Sequence, residues 1–234
     1  MTSTNLMLKE LAMADIEAGT VVTATVQTEG RGRLGRKWES PEGGLWMSVL
    51  LEFDRSFDIR RIGLLPLMAG ASVATAVAME YDMETGVKWP NDVLVGGRKL
   101  CGILCEFIEP GERRCAITGI GVNVNNPVRA DYAFSHQSTS VAEECARTVP
   151  LEVLENTILE ELDFRWGLLS EGNFQKLVDD WQDMSLTVGK HVTVETPSGI
   201  VRGIARGIDQ TGALVVETSG ETRSVNAGDC QHLE

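Results

Sequence analysis

Histidine and tyrosine are scarce in this 234-residue chain, three of the one and two of the other, and aromatic residues make up only 6%. The histidines, His136, His191 and His232, lie far apart with no metal-ligand spacing, and no Gly-x-Ser-x-Gly turn occurs. Chemistry by a protein nucleophile or a histidine-bound metal is therefore disfavoured. The five cysteines (Cys101, Cys105, Cys115, Cys145, Cys230) are odd in number and form no CxxC pair, which argues against a disulfide framework or structural zinc and for reduced thiols. Positive charge is in deficit, with 21 Lys and Arg against 34 Asp and Glu and a net charge of -13. Such a surface repels nucleic acid and anionic membrane, so any anion site has to be local. No basic region precedes an apolar run at the N-terminus, so no export signal is expected. Residues 62–79 are uncharged, but they are rich in alanine and glycine and contain Pro66, Ser72 and Thr75. They read as a buried core helix rather than a membrane span.

Apolar content of 43% and charged content of 24% are those of an ordinary globular protein, and the length allows one full core plus a small appended module. Residues 5–18 carry Leu6, Leu8, Leu11, Met13 and Ile16 and predict an amphipathic helix capped by Thr4 or Asn5. Strands are expected at Val21 to Gln27 and Leu45 to Leu51, then the long alanine-rich helix, then a run of strands from Val87 to Val124 with turns at Gly96-Gly97 and Pro110-Gly111. Leu151, Leu154, Ile158, Leu162, Trp166 and Leu169 step by three or four, a strong helical pattern with Pro150 suited to its first turn. A shorter helix runs from Asn173. Past Gly189 only short strands with closely spaced turns remain, which predicts a small SH3-like barrel and a boundary near residues 184–190.

Three stretches carry chemistry. Residues 30–37, Gly-Arg-Gly-Arg-Leu-Gly-Arg-Lys, place four cations and three glycines in eight positions of an acidic chain. Glycines let backbone N–H groups approach an anion and arginines grip carboxylate or phosphate through paired donors, although a solvated basic loop or an RNA patch has the same composition. The second stretch is Lys88-Trp-Pro-Asn-Asp92 followed by Arg98-Lys-Leu-Cys-Gly-Ile-Leu104. Asp92 and Lys99 flank one tight hairpin, as a metal or ammonium partner beside a phosphate-reaching cation, or as a plain turn former and a solvated lysine. The third, Gly119-Ile-Gly-Val-Asn123, has glycines inside a strand, where something packs on the backbone; Asn123 either reads an adenine edge or braces a local turn. A carboxylate that itself attacks the α-phosphate of ATP needs no protein nucleophile, only cations and a dry pocket.

Taken in order, Ser3-Thr4-Asn5, the Gly30 to Arg36 loop with Trp38, the Lys88 to Asp92 and Arg98 to Leu104 motifs and Gly119 to Asn123 resemble biotin protein ligase, and Arg206 to Ala213 resembles that family's C-terminal barrel. The resemblance implies an α+β fold: a catalytic domain in residues 1–186 built on a central mixed β-sheet with helices, like the class II aminoacyl-tRNA synthetases, and an SH3-like barrel in 187–234. It implies activation of biotin by ATP and Mg2+ to biotinyl-5'-AMP, then transfer to a lysine of a biotin carboxyl carrier protein or domain, with no tightly bound prosthetic group. Lys99, Arg33 and Arg31 would be catalytic. Ser3, Thr4, Asn5, Gln27, Gly30, Gly102 and Ile103 would join them around biotin, Ser3, Thr4 and Gln27 facing its ureido ring. Arg36, Trp38, Lys88, Gly121 and Asn123 would take the nucleotide, and Asp92 would help to place the metal.

Only Met1 and Thr2 precede the first motif, so a short form without a DNA-binding domain is expected. The composition reads as that of a cytoplasmic protein, and the resemblance implies a homodimer joined through the central sheet. Loss of residues 190–234 is expected to weaken transfer more than small-molecule binding. The competing readings are a lipoate-type ligase, which leaves Ser3-Thr4-Asn5 with Gln27 unexplained, and a non-catalytic RNA-binding protein, against which the net charge speaks.

Overall fold

The computed structural model describes residues 1–128 and 138–233; His136 lies outside them. Helix α1 (Thr4–Met13) precedes strands β1 (Val21–Ala24) and β2 (Leu45–Phe53), helix α2 (Leu64–Tyr81) and strands β3 (Thr85–Lys88), β4 (Asp92–Val95), β5 (Arg98–Ile108) and β6 (Arg114–Val122). Helices α3 (Val141–Cys145), α4 (Leu151–Ser170) and α5 (Phe174–Asp183) follow, and then strands β7 (His191–Thr196), β8 (Gly199–Ile208), β9 (Leu214–Glu217), β10 (Thr222–Val225) and β11 (Asp229–His232).

Strands β1 to β6 form one sheet in the order β1-β2-β6-β5-β4-β3. Every ladder in it is antiparallel. The expected mixed character is confined to single parallel bridges, Val87 with Ser185 and Lys99 with Ser138. Alternation along β2 sends Met47, Val49, Leu51 and Phe53 into the main core beneath α2 and α4, and turns Leu50 to the opposite face, where Leu8 and Ala12 of α1 cover it. Each large apolar side chain buried this way is worth about 1.5–3 kcal/mol. Two thirds (67%) of the most apolar window of α2 is buried, as expected of a core helix. Its stray polar groups are satisfied locally: Ser72 Oγ donates to Met68 O at 3.0 Å, and the Ala74 carbonyl accepts from Thr85 Oγ1 at 2.9 Å.

Helix α1 differs from expectation at both ends. Its cap is Ser3, in extended conformation, and the orphan N–H of Thr4 is satisfied by the distant Gln27, whose Oε1 lies 2.8 Å away. Thr4 and Asn5 are thereby free to turn their side chains onto the sheet. The helix ends at Met13 because Asp15 takes a positive φ of 62°, and Ile16 joins the core from the following loop. Pro150 is the N-cap of α4 rather than part of its first turn. The five-residue α3, capped by Ser140 whose Oγ accepts from Glu143 N at 3.3 Å, is too short to show a period in sequence.

The last five strands form an antiparallel sheet in the order β10-β9-β8-β7-β11, and every turn expected between them is present. Their inner residues Val192, Val194, Ala205, Leu214 and Val216 continue the main core. Polar bonds seal the contact: Trp89 Nε1 donates to Gly212 O at 3.1 Å, Arg61 Nη1 to Gln210 O at 2.8 Å, and Ile208 N to Gln182 Oε1 at 3.2 Å.

Candidate active site

The face of the sheet that carries α1 is stripped of side chains toward one end, where Gly102, Gly119 and Gly121 take the place of larger residues. A methyl group at Gly119 would lie 2.2 Å from Asn5 Oδ1, and one at Gly121 2.5 Å from Trp38 Nε1. Something does pack on the backbone here: Asn5 over one glycine, the Trp38 indole over the other.

Around Asn5 the neutral polar groups interlock. Ser48 Oγ, fully buried, bridges Thr4 Oγ1 at 2.7 Å and Asn5 Oδ1 at 2.6 Å. Gln27 Oε1 also lies 3.1 Å from Thr4 Oγ1, and Gln27 Nε2 donates to Ser40 Oγ at 2.8 Å. Asn5 Nδ2 donates to Glu106 Oε2 at 2.8 Å, and the same carboxylate lies 3.6 Å from Arg31 Nη2. Ser3, Thr4 and Asn5 are all buried. This set of hydroxyls and amides offers both donors and acceptors and little charge, which suits a neutral polar ring such as a cyclic urea.

The basic loop is a folded hairpin. Gln27 bridges Ser40 and Arg31 bridges Lys37, Trp38 N donates to Gly30 O at 2.9 Å, and the tip turns through Leu34 and Gly35 at φ of 56° and 74°. Gly30 admits no side chain, since a methyl there would meet Trp38 O at 2.3 Å. Arg33 reaches from the hairpin to Asn91 Oδ1 and to Gly228 O, each at 2.9 Å. Its pKa is lowered, chiefly by burial, against the pull of Asp92 and Asp229. Arg36 grips Asp229 through both guanidinium nitrogens, at 3.4 and 2.5 Å, which raises the arginine pKa and lowers that of the carboxylate.

Lys99 Nζ stands 2.6 Å from Asp92 Oδ1 and 5.3 Å from the Trp38 ring centroid. Asp92 Oδ1 is held by this ion pair with no further hydrogen bond, and the buried Trp38 Nε1 has no hydrogen-bond partner among the described residues. Unsatisfied buried polar atoms in a cleft are costly and are the groups on which a ligand gains most.

The other sequence-derived residues divide. Lys88, at the end of β3, contributes positive potential at Asp229. Asn123 braces a local turn, its Oδ1 accepting from Asn126 Nδ2 at 3.1 Å; its own Nδ2 has no partner among the described residues. Ile103 stands apart on the opposite face, 1% exposed in the main core, and borders a cavity of about 260 Å³ between the sheet and the C-terminal strands. Asp92 faces Lys99, and the described residues contain no cluster of three His, Cys, Asp or Glu able to hold a metal. Ser48, Glu106, Asn91 and Asp229 were not foreseen. Ser48 had one readable signal, as the lone polar residue in the apolar run Leu45 to Leu51.

The arrangement juxtaposes a mostly neutral polar network and a cationic cluster beneath one hairpin, a combination able to hold two anions together. Residues 1–123 match the biotin/lipoate A/B protein ligase family, and residues 187–233 match the biotin protein ligase C-terminal domain. The biotin–acetyl-CoA-carboxylase ligase of Mycobacterium tuberculosis is 37% identical over 238 residues, covering 99% of this chain and 85% of that protein. The bifunctional ligase/repressor BirA of Bacillus subtilis is 32% identical over 234 residues, covering 99% of this chain and 71% of that protein. The biotin protein ligase of Aquifex aeolicus, solved in complex with biotin and ATP, superposes with a TM-score of 0.86 at 28% identity, over 99% of this chain and 95% of that one. This chain therefore belongs to the biotin/lipoate A/B protein ligase family and, with its matching C-terminal domain, to the biotin protein ligases within it.

Proposed function

We infer that this ligase activates biotin with ATP to biotinyl-5'-AMP and transfers the biotinyl group to a lysine of a biotin carboxyl carrier protein or domain of a biotin-dependent carboxylase. The observation that carries the reading is the placing of the Thr4, Asn5, Gln27 and Ser48 network and of Lys99 on one glycine-stripped sheet face, with Arg31 of the hairpin 3.6 Å from Glu106 beside it. The ureido ring binds in the network, and the valerate carboxylate extends past Gly102 toward Lys99.

In the first step a carboxylate oxygen attacks the α-phosphorus, a C–O–P linkage forms and the bond to pyrophosphate breaks. Lys99, Arg33 and Arg31 offset the charge that builds on the phosphoryl oxygens, with Arg36 and Lys88 on the phosphate side. Trp38 and Asn123 flank the adenine. Asp92 would be the residue to help hold a magnesium ion brought by the phosphates, which would supply charge neutralisation there. In the second step the acceptor amine attacks the acyl carbon, a C–N bond forms, AMP leaves and the amine loses a proton. The folded hairpin excludes water, which would otherwise hydrolyse the anhydride.

The division falls at residues 186/187 in this reading, and the five free cysteines and the acidic net charge support a cytoplasmic protein that does not bind nucleic acid. A homodimer through the central sheet is supported by β5, whose pairing with β4 stops at Gly102 and leaves its second half without a neighbour on that side among the described residues. The test is exchange of labelled pyrophosphate into ATP by the purified protein with magnesium and biotin, lipoate or no acid. Biotin-dependent exchange is expected; exchange with lipoate alone, or none at all, overturns the reading.

A further inference from the structure

Two cations of the basic hairpin are anchored nearly two hundred residues away, at the start of the last strand. Arg33 Nη2 donates to Gly228 O at 2.9 Å, and Arg36 takes both oxygens of Asp229, the residue that opens β11. Asp229 faces three positive groups, Arg36, Arg33 and Lys88. The nearness of Arg36 disfavours the charge on Arg33, so the cluster is self-repelling without a counter-charge. Glu195, opposite Asp229 on β7, adds negative potential at Arg36. An isolated exposed pair is worth little, but a two-pronged arginine–carboxylate contact fixed beside a second, part-buried arginine bond specifies a geometry.

We propose that Asp229 is a positioning residue for adenylate formation: the carboxylate by which the C-terminal sheet holds Arg36, and with it the whole basic hairpin, closed over the nucleotide side of the site. The inference rests on the ligase reading for its kinetic part only. It reverses the expectation that the C-terminal strands serve transfer more than small-molecule binding, because here they complete the site of the first half-reaction.

The hairpin carries its own reporters, since Arg31, Arg33, Arg36 and Lys37 are all trypsin sites. In the full-length protein without added ligand, Asp229→Ala is expected to speed cleavage between residues 31 and 37 by about three- to tenfold, the range of one charge-assisted contact. It is expected to raise KM for Mg-ATP in biotin-dependent pyrophosphate exchange by a similar factor with less change in kcat, and Asp229→Glu is expected to recover most of both. Unchanged hairpin cleavage overturns the proposal. Cleavage that rises equally at Lys190 and Arg202 also overturns it, because it reports loosening of the C-terminal sheet as a whole. Cleavage needs no catalysis, so a wild-type protein lacking biotin-dependent exchange would refute the ligase reading while leaving the hairpin contact separately measurable.

Discussion

An alanine at position 119 would place its Cβ 2.2 Å from Asn5 Oδ1 and 2.9 Å from Asn5 Cγ. Asn5 has no room to retreat. It is 5% exposed, its Oδ1 is 2.6 Å from Ser48 Oγ, and its Nδ2 is held by Glu106 at 2.8 Å and by Leu104 O at 3.3 Å. Relieving the clash breaks the Ser48 contact, worth about 1 kcal/mol, and weakens the charge-assisted one to Glu106, worth about 1.5–3 kcal/mol. Gly119→Ala is thus expected to cost about 2–4 kcal/mol of stability, the scale of an overpacked core, and to weaken biotin binding about ten- to a hundredfold as Asn5 and its neighbour Thr4 are displaced. Thermal unfolding and titration calorimetry with biotin measure the two effects. The decisive comparison is the same substitution in an Asn5→Ala background, where the obstructing oxygen is gone. There Gly119→Ala should cost no more than about 0.5 kcal/mol. An equal cost in both backgrounds, or wild-type biotin affinity in Gly119→Ala alone, would refute the reasoning.

Lys99→Ala should reduce biotin-dependent pyrophosphate exchange by about 10²–10³-fold, since it removes the ammonium beside Asp92 that the proposed mechanism aims at the reacting phosphate; exchange within tenfold of wild type would remove Lys99 from that role. Arg36, then Arg33 and Lys88, hold the Asp229 pKa below the usual carboxylate range against a smaller opposing effect of burial. A group with a lowered folded pKa gives stability that is complete above its unfolded value and is lost as pH falls through the folded one. Amide exchange of residues 30–37, corrected for intrinsic rate, should therefore be flat from pH 7 to about 5 and rise only below the ordinary aspartate value near 4; a rise centred near neutrality would contradict it. Burial pushes the Cys230 thiol up to about 11 and raises those of Cys101 and Cys115, whereas Cys145 is half-exposed. Alkylation of the folded protein at pH 8 should modify Cys145 ahead of these three, and comparable labelling of Cys230 by peptide mass analysis would show that the burial is not maintained.

Helices α2, α4 and α5 and the turns of the C-terminal strands were legible in the sequence because each follows from a local rule, the period of apolar residues or the chemistry of a turn. The Gly119 and Gly121 motif was legible for a related reason, as glycine inside a strand has few uses other than close approach. The limits of α1 were not legible. Its first N–H is satisfied by Gln27, 23 residues away, and its end comes from a backbone choice at Asp15. Nor was the hairpin fold of residues 27–40, which has no apolar alternation and is held by bridges and by arginines reaching other elements.

The sequence by itself determined the long helices, most strands and the chemical types at the site: amides and hydroxyls, a lysine beside an aspartate, a cluster of arginines, and glycines where side chains would obstruct. Only the tertiary structure decided which of them meet. It turned Ile103 to the core while Gly102 faces the site, it added Ser48 and Glu106 to the polar network, and it brought Asp229 of the last strand to Arg36 of the hairpin. Alternation in a strand assigns a residue to one of two faces without saying which face is the site. A contact between residues 193 positions apart depends on how two packed sheets are oriented, which no local pattern encodes.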